Sequence, residues 1–183
     1  PEGYPSDRIR AVLPELWRRN IAVDRFAGPA DEVTPAGEPA GTGAAFLQYA
    51  WLYFGALAAD YGMPDEAVAS WRQAYDQQYR INRQPWKTYL CAFAADGRFN
   101  GLPWYMTNTA SWYILHALAG FSYSIPDGRL EIKPSFPAGW GETLRLPLFG
   151  SGFVIRLNWT PGAITLTPLR SDGKIRFLEV RCH

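Results

Sequence analysis

The chain of 183 residues is 48% hydrophobic, 15% aromatic and 19% charged, with 18 Lys and Arg against 17 Asp and Glu. That length buries one sizeable core, and interspersed charges summing to +1 leave no electrostatic footprint for nucleic acid or an anionic membrane. No apolar run reaches the roughly 18–20 residues of a bilayer span and no basic-then-apolar leader opens the sequence, so no transmembrane segment and no nucleic-acid partner are expected.

The first periodic stretch, "SDRIRAVLPELWRRN", begins at Ser6 or Asp7 as cap and puts Ile9, Val12, Leu13, Leu16 and Trp17 on one stripe. It predicts an outer amphipathic helix kinked at Pro14. From Ala27 to Gly43 the Pro- and Gly-rich "AGPADEVTPAGEPAGTG" reads as a loop. "AAFLQYAWLYFGALAADYG" then predicts a helix apolar on every side from Phe46 to Ala59, stopped by Gly62, and therefore buried all round. "MPDEAVASWRQAYDQQY" restarts at Pro64, with Asp65 and Glu66 in its first turn and Val68, Trp71, Tyr75 and Gln78 or Tyr79 along one stripe, as a second outer helix. Residues from about 80 to 107 read as one long loop. "NTASWYILHALAG" follows as an inner helix capped by Asn108 and closed by Gly120.

After Gly120 the texture changes. "RLEIKPSF", "TLRLPLFG", "FVIRLNW", "AITLTPL" and "KIRFLEV" are short β-type runs separated by turn residues, which predict about five strands. Alternating outer and inner helices followed by strands predict a mainly α fold: the C-terminal portion of an (α/α)6 toroid over residues 1–120, then a tail of short antiparallel strands over 121–183. Four helices do not close such a ring, so the expected partner is the remaining N-terminal part of the same protein.

The chemistry must be sought without common signatures, since the chain has no phosphate-cradling Gly-rich loop, HExxH, CxxC or GxSxG. Its two histidines are His116, inside an apolar helix and read as a hydrogen-bonded core residue, and His183. No metal site and no cofactor are expected. Cys91 reads as a small buried hydrophobe, and whether it pairs with Cys182 is left open. Glycoside hydrolysis needs two carboxyl groups facing one sugar. The acids on long loops are Asp31, Glu32, Glu38 and Asp96, and no pair among them stands out as acid and nucleophile.

"QYRINRQPWKTYLC" and, after an interval, "YMTNTASWYILHALAGFSYSIPDGRLEIKPSFP" resemble the C-terminal third of the glycoside hydrolase family of bile-acid β-glucosidase, also called non-lysosomal glucosylceramidase. Pro85, Trp86 and Cys91 match one family run; Tyr105, Ala110, Ser111, Ala117, Leu118, Gly120, Phe121 and Tyr123 match another. The likeness spans most of residues 8–137. It departs where the family has two Glu residues (Thr88 and Leu90 here), where it has an Arg after the Tyr (Thr107 here), and where it tends to have acids before a helical Trp (Gln48 and Tyr49 here). The resemblance implies a hydrolase acting on a carbohydrate substrate, with its nucleophile and acid/base upstream of the matched region. It implies a sugar subsite drawn from Trp86, Thr88, Arg98, Asn100, Trp104, Tyr105, Thr107 and Asn108, in which Trp86 and Trp104 stack and the polar groups bind hydroxyls. The alternative is a non-catalytic carbohydrate-binding or structural α/α domain.

Overall fold

The computed structural model describes residues 6–22, 30, 33–40, 45–87, 89–103, 110–140, 144–150, 153–160, 162–173 and 175–180. Helix α1, Ser6–Leu16, continues through Pro14 and passes into a π-helical turn, Trp17–Ile21. Strand β1, Ala45–Leu47, leads directly into α2, Gln48–Asp60. Helix α3, Pro64–Tyr75, also ends in a π-helical turn, Asp76–Ile81. Strands β2, Tyr89–Phe93, and β3, Phe99–Pro103, precede α4, Ser111–Ala119. Six strands follow: β4 Phe121–Ser124, β5 Arg129–Ile132, β6 Leu144–Gly150, β7 Phe153–Thr160, β8 Ala163–Ser171 and β9 Phe177–Val180.

These nine strands form three three-stranded sheets, ordered β1-β2-β3, β4-β5-β9 and β6-β7-β8. The expectation of a mainly α toroid portion with a short β tail is overturned, because strand structure pervades the chain and one sheet lies ahead of α4. Nor do the helices divide into inner and outer ranks: α2 packs against both α3 and α4, and α3 touches α4. The predicted all-round burial of α2 also fails. Trp51, Leu52, Ala58 and Ala59 are buried, while Tyr53 and Leu57, one turn apart, share an exposed stripe. An all-apolar sequence tells which faces can be buried, and the number of neighbours decides how many are.

The "loop" at 80–107 contains a β-hairpin. Its tip is Asp96-Gly97, with Gly97 at φ +70°, where the Gly97 N–H donates to the Phe93 carbonyl (2.8 Å). Strand β1 joins it antiparallel, with Ala45 opposite Phe93 and Leu47 opposite Cys91. This pairing takes the start of the predicted helix into a sheet, so the helix begins only at Gln48.

All five predicted C-terminal strands are present, and β4 is added to them. Their arrangement is not wholly antiparallel, since β9 runs parallel to β5, with Leu130 beside Leu178 and Ile132 beside Val180. One contiguous core joins the helices to both C-terminal sheets. Leu52 on α2, Ile114 and Leu118 on α4, Leu130 and Ile132 on β5, and Phe153, Ile155 and Leu157 on β7 belong to it. On β7 the buried residues alternate, as period-two geometry requires. Among the described residues no helix is long and apolar enough to cross a membrane.

Candidate functional site

Of the eight residues expected in a sugar subsite, Thr88, Trp104, Tyr105, Thr107 and Asn108 lie outside the described residues. Trp86, Arg98 and Asn100 are described, and all three are exposed; the turn and the hairpin that carry them make up a platform tied by side-chain amides to the π-helical turn after α3. Trp86 is 89% exposed, which for an indole leaves an apolar surface of unusual size in water.

Two amide side chains that carry no obvious sequence signal hold this platform. Gln78, only 2% exposed, sits in the π-helical turn after α3 and donates through Nε2 to the carbonyls of Gln84 and of Lys87, the latter at 3.1 Å. It thereby grips the backbone on both sides of Trp86. Asn82 does the same for the hairpin. Its Nδ2 donates to the carbonyls of Gln77 and Gly97, both at 2.8 Å, and its Oδ1 accepts from the Phe99 N–H at 2.9 Å. Directly after Asn82 the backbone passes through Arg83 at φ +52°, a left-handed conformation uncommon for a residue with a Cβ. Fixed hydrogen bonds on either side hold the chain in that conformation.

At the hairpin tip Asp96 accepts from the Arg98 N–H at 2.9 Å and pairs with the Arg98 guanidinium at 3.5 Å. The charge on Arg98 is thus partly answered before any ligand arrives, and both groups remain in solvent. Behind them Tyr89 and Phe99 stack across the hairpin with centroids 5.1 Å apart, and Lys87 lies over the Tyr89 ring at 5.7 Å. Asn100 stands on β3 opposite Cys91.

A groove of about 420 Å³ has the same Gln78 in its wall. Trp71, Arg72, Tyr75, Tyr79 and Ser111 are among the other residues that line it. Tyr75 and Tyr79, one helical turn apart, stack at 4.6 Å and are about half exposed. Helical periodicity puts Tyr75 and Gln78 or Tyr79 on one stripe as packing positions and marks none of them, nor Asn82, as part of a site. Asn82 and Gln78 sit in a stretch read as the end of a helix and the start of a loop, and only the turn signal Asp96-Gly97 hints at the hairpin they support.

The helix residue read as core, His116, is exposed, with its ring against Phe121 at 5.8 Å. Cys91 is half-buried on β2. Among the described residues no group of three or more His, Cys, Asp or Glu side chains is placed to hold a metal ion. The chain matches no protein-family model and no curated protein.

Proposed function

We propose that this chain is a carbohydrate-binding part of a glycoside hydrolase, taking a sugar on the platform of Trp86, Arg98 and Asn100, with the catalytic carboxylates supplied by an N-terminal part of the same enzyme. One observation carries the reading: Trp86 is 89% exposed on backbone clamped from both sides by a buried glutamine. An exposed indole on a frayed loop would be unremarkable, whereas one held by an internal amide offers a preorganised flat face, which is what the apolar side of a pyranose ring stacks upon. The exposed Tyr75–Tyr79 pair, in the groove that Gln78 also lines, offers a second aromatic face, and the amide of Asn100 and the guanidinium of Arg98 are groups that can bind hydroxyls.

The rival reading, a non-catalytic sugar-binding module, draws on one feature. The acid on the platform, Asp96, is engaged by the Arg98 backbone and side chain and is exposed, which suits neither a general acid nor a nucleophile. Both readings share the binding step, which affinity electrophoresis through gels containing soluble β-glucan tests directly. Retarded migration of the intact chain, abolished by Trp86→Ala and partly kept by Trp86→Phe, is the expected result. Equal migration of all three proteins with and without the polysaccharide removes the platform from consideration. Aryl β-glucoside turnover then separates hydrolase from module: the chain joined to its upstream part turns over substrate under the first reading and not under the second.

A further inference from the structure

Strand β3 loses its register with β2 immediately after Asn100. Cys91 faces Asn100 and Tyr89 faces Pro103, so Leu90 alone stands across from both Gly101 and Leu102. That is a β-bulge, and Gly101 enters it at φ +84°, a left-handed conformation that glycine adopts without strain. Among the described residues Gly101 has no register partner, and β3 is an edge strand of its sheet, exposed from Asn100 to Pro103. Of the asparagines in the sequence, Asn100 alone is followed by glycine.

That neighbour matters chemically. The side-chain amide carbon of any asparagine lies near the backbone nitrogen of the next residue, whose side chain ordinarily crowds the approach while a sheet ladder holds the nitrogen in place. At Gly101 there is no Cβ to crowd it and no register partner to hold it. The same ring could close at Asp96-Gly97, Asp127-Gly128 and Asp172-Gly173, but there the glycine N–H is engaged in a turn. Gly97 donates to the Phe93 carbonyl (2.8 Å), Gly128 to the Ile125 carbonyl (3.2 Å) and Gly173 to the Ser171 hydroxyl (3.2 Å). A carboxylate is also a poorer electrophile than an amide. Asn82 differs again, because it is followed by Arg83 and its side chain makes three hydrogen bonds.

We propose that Asn100 is a self-modification site, where the amide converts to aspartate and isoaspartate with water as the only co-reactant. The Gly101 nitrogen gives up its proton to hydroxide and attacks Cγ of Asn100. The N–Cγ bond forms, the Cγ–Nδ2 bond breaks, and the departing nitrogen takes a proton from water and leaves as ammonia. Water then opens the cyclic imide at one of its two carbonyls: breaking the new N–Cγ bond gives aspartate, and breaking the original peptide bond gives isoaspartate. Nothing is oxidised or reduced. The isoaspartate product lengthens the backbone by a methylene, and the bulge takes that up beyond the paired Phe99 and Asn100. Both products change the hairpin's charge. Asp96 and Arg98 already offset each other at 3.5 Å, so a new carboxylate on β3 leaves this end of the hairpin net negative.

The test incubates the intact chain in mildly alkaline buffer at physiological temperature and follows it by peptide mapping with mass detection, by ammonia release and by anion-exchange chromatography. Acid at residue 100 should accumulate in step with ammonia, in both the normal and the isomerised linkage, and faster at higher pH because the attacking nitrogen must lose its proton. Asn20, Asn82 and Asn158 should keep their amides. A synthetic peptide of residues 98–102 gives the unconstrained rate, and the intact chain should come within about tenfold of it, since an edge-strand bulge opens locally at little cost. Asn100→Gln should yield no acid at that position over the same interval, because its longer side chain closes a larger ring more slowly. An intact Asn100 in the folded chain while the peptide converts, or acid appearing first at another asparagine, would overturn the proposal. Those measurements are made on the unaltered chain and need no ligand, so they decide the question whatever becomes of the sugar reading.

Discussion

Gly120 offers a sharp test of how α4 is joined to the C-terminal sheets. It follows the last residue of α4 at φ +59°, ψ +35°, and its N–H donates to the Ala117 carbonyl. A Cβ built there would lie 1.8 Å from the Lys133 carbonyl oxygen and 2.1 Å from its carbon, where 3.4 Å is ordinary contact. Both atoms are backbone, so no rotamer change can relieve the clash. Gly120→Ala therefore forces residues 133–135 away from α4 by more than an ångström, breaking the Lys133-to-Gly120 and Ser135-to-Leu118 hydrogen bonds. The left-handed conformation adds about 1–2 kcal/mol and the two bonds about 1 kcal/mol each, for a total of about 3–4 kcal/mol. That is a large share of the ~5–15 kcal/mol that stabilises a typical domain. Gly62 supplies the control, because it has φ +82° with nothing within 4 Å of its would-be Cβ. Gly62→Ala should cost only the backbone part, about 1 kcal/mol. Urea midpoints at constant m-value measure both. Equal costs for the two variants would show that the close approach of Lys133 to Gly120 contributes nothing, and the reasoning would fail.

Other outcomes follow from the same packing. A Cβ at Gly55 would meet Ile114 Cδ1 at 2.8 Å, so Gly55→Ala should destabilise by about 1–3 kcal/mol. Most of that should be recovered in an Ile114→Val background, a coupling read from a double-mutant cycle. Gln78→Leu should abolish retardation on β-glucan gels with Trp86 still present and lower stability by about 1–3 kcal/mol through the unpaired carbonyls, while Trp86→Ala should change stability by less than about 0.5 kcal/mol. Burial raises the folded-state pKa of Asp60. The folded protein then binds its proton more tightly than the unfolded chain, and stability falls as pH rises from the unfolded value of about 3.9 through the raised one. Asp60→Asn should accordingly melt higher than the unaltered chain at pH 7 and lose that advantage below about pH 3.5.

The helix ends were the most legible features in the sequence, for local reasons. Pro64 with Asp65 and Glu66, and Gly62 and Gly120 as stops, act within one turn of where they stand. The C-terminal strands were equally readable, since Phe153, Ile155 and Leu157 alternate with their neighbours. What escaped was every pairing that depends on distant chain. Ala45–Leu47 has the composition of a helix and becomes a strand because Cys91–Phe93 lies beside it. Tyr89–Phe93 is apolar at nearly every position, so no period marks it as a strand. The toroid expectation failed for a related reason: apolarity on all sides of α2 and α4 suggested enclosure, whereas Tyr53, Trp112 and Tyr113 are exposed. At the platform, Trp86 and Arg98 stood out by residue type, but the amides of Gln78 and Asn82 that hold them are chemically ordinary and acquire meaning only from the carbonyls they reach.

The parallel pairing of β5 with β9 also sets an order of events for a chain emerging from the ribosome. Strand β5 sits in the middle of its sheet, yet one of its two neighbours is not synthesised until some 45 residues later. At about 5–20 residues per second, that is a delay of seconds during which Arg129–Ile132 presents an open backbone edge. The hairpins of β6, β7 and β8 can close in that interval, since their contacts are between sequence neighbours. The helical part, whose core includes Leu130 and Ile132, therefore waits on this late pairing before its own packing is secure. An ion pair between Arg129 and Glu179 then fastens the late strand across that span.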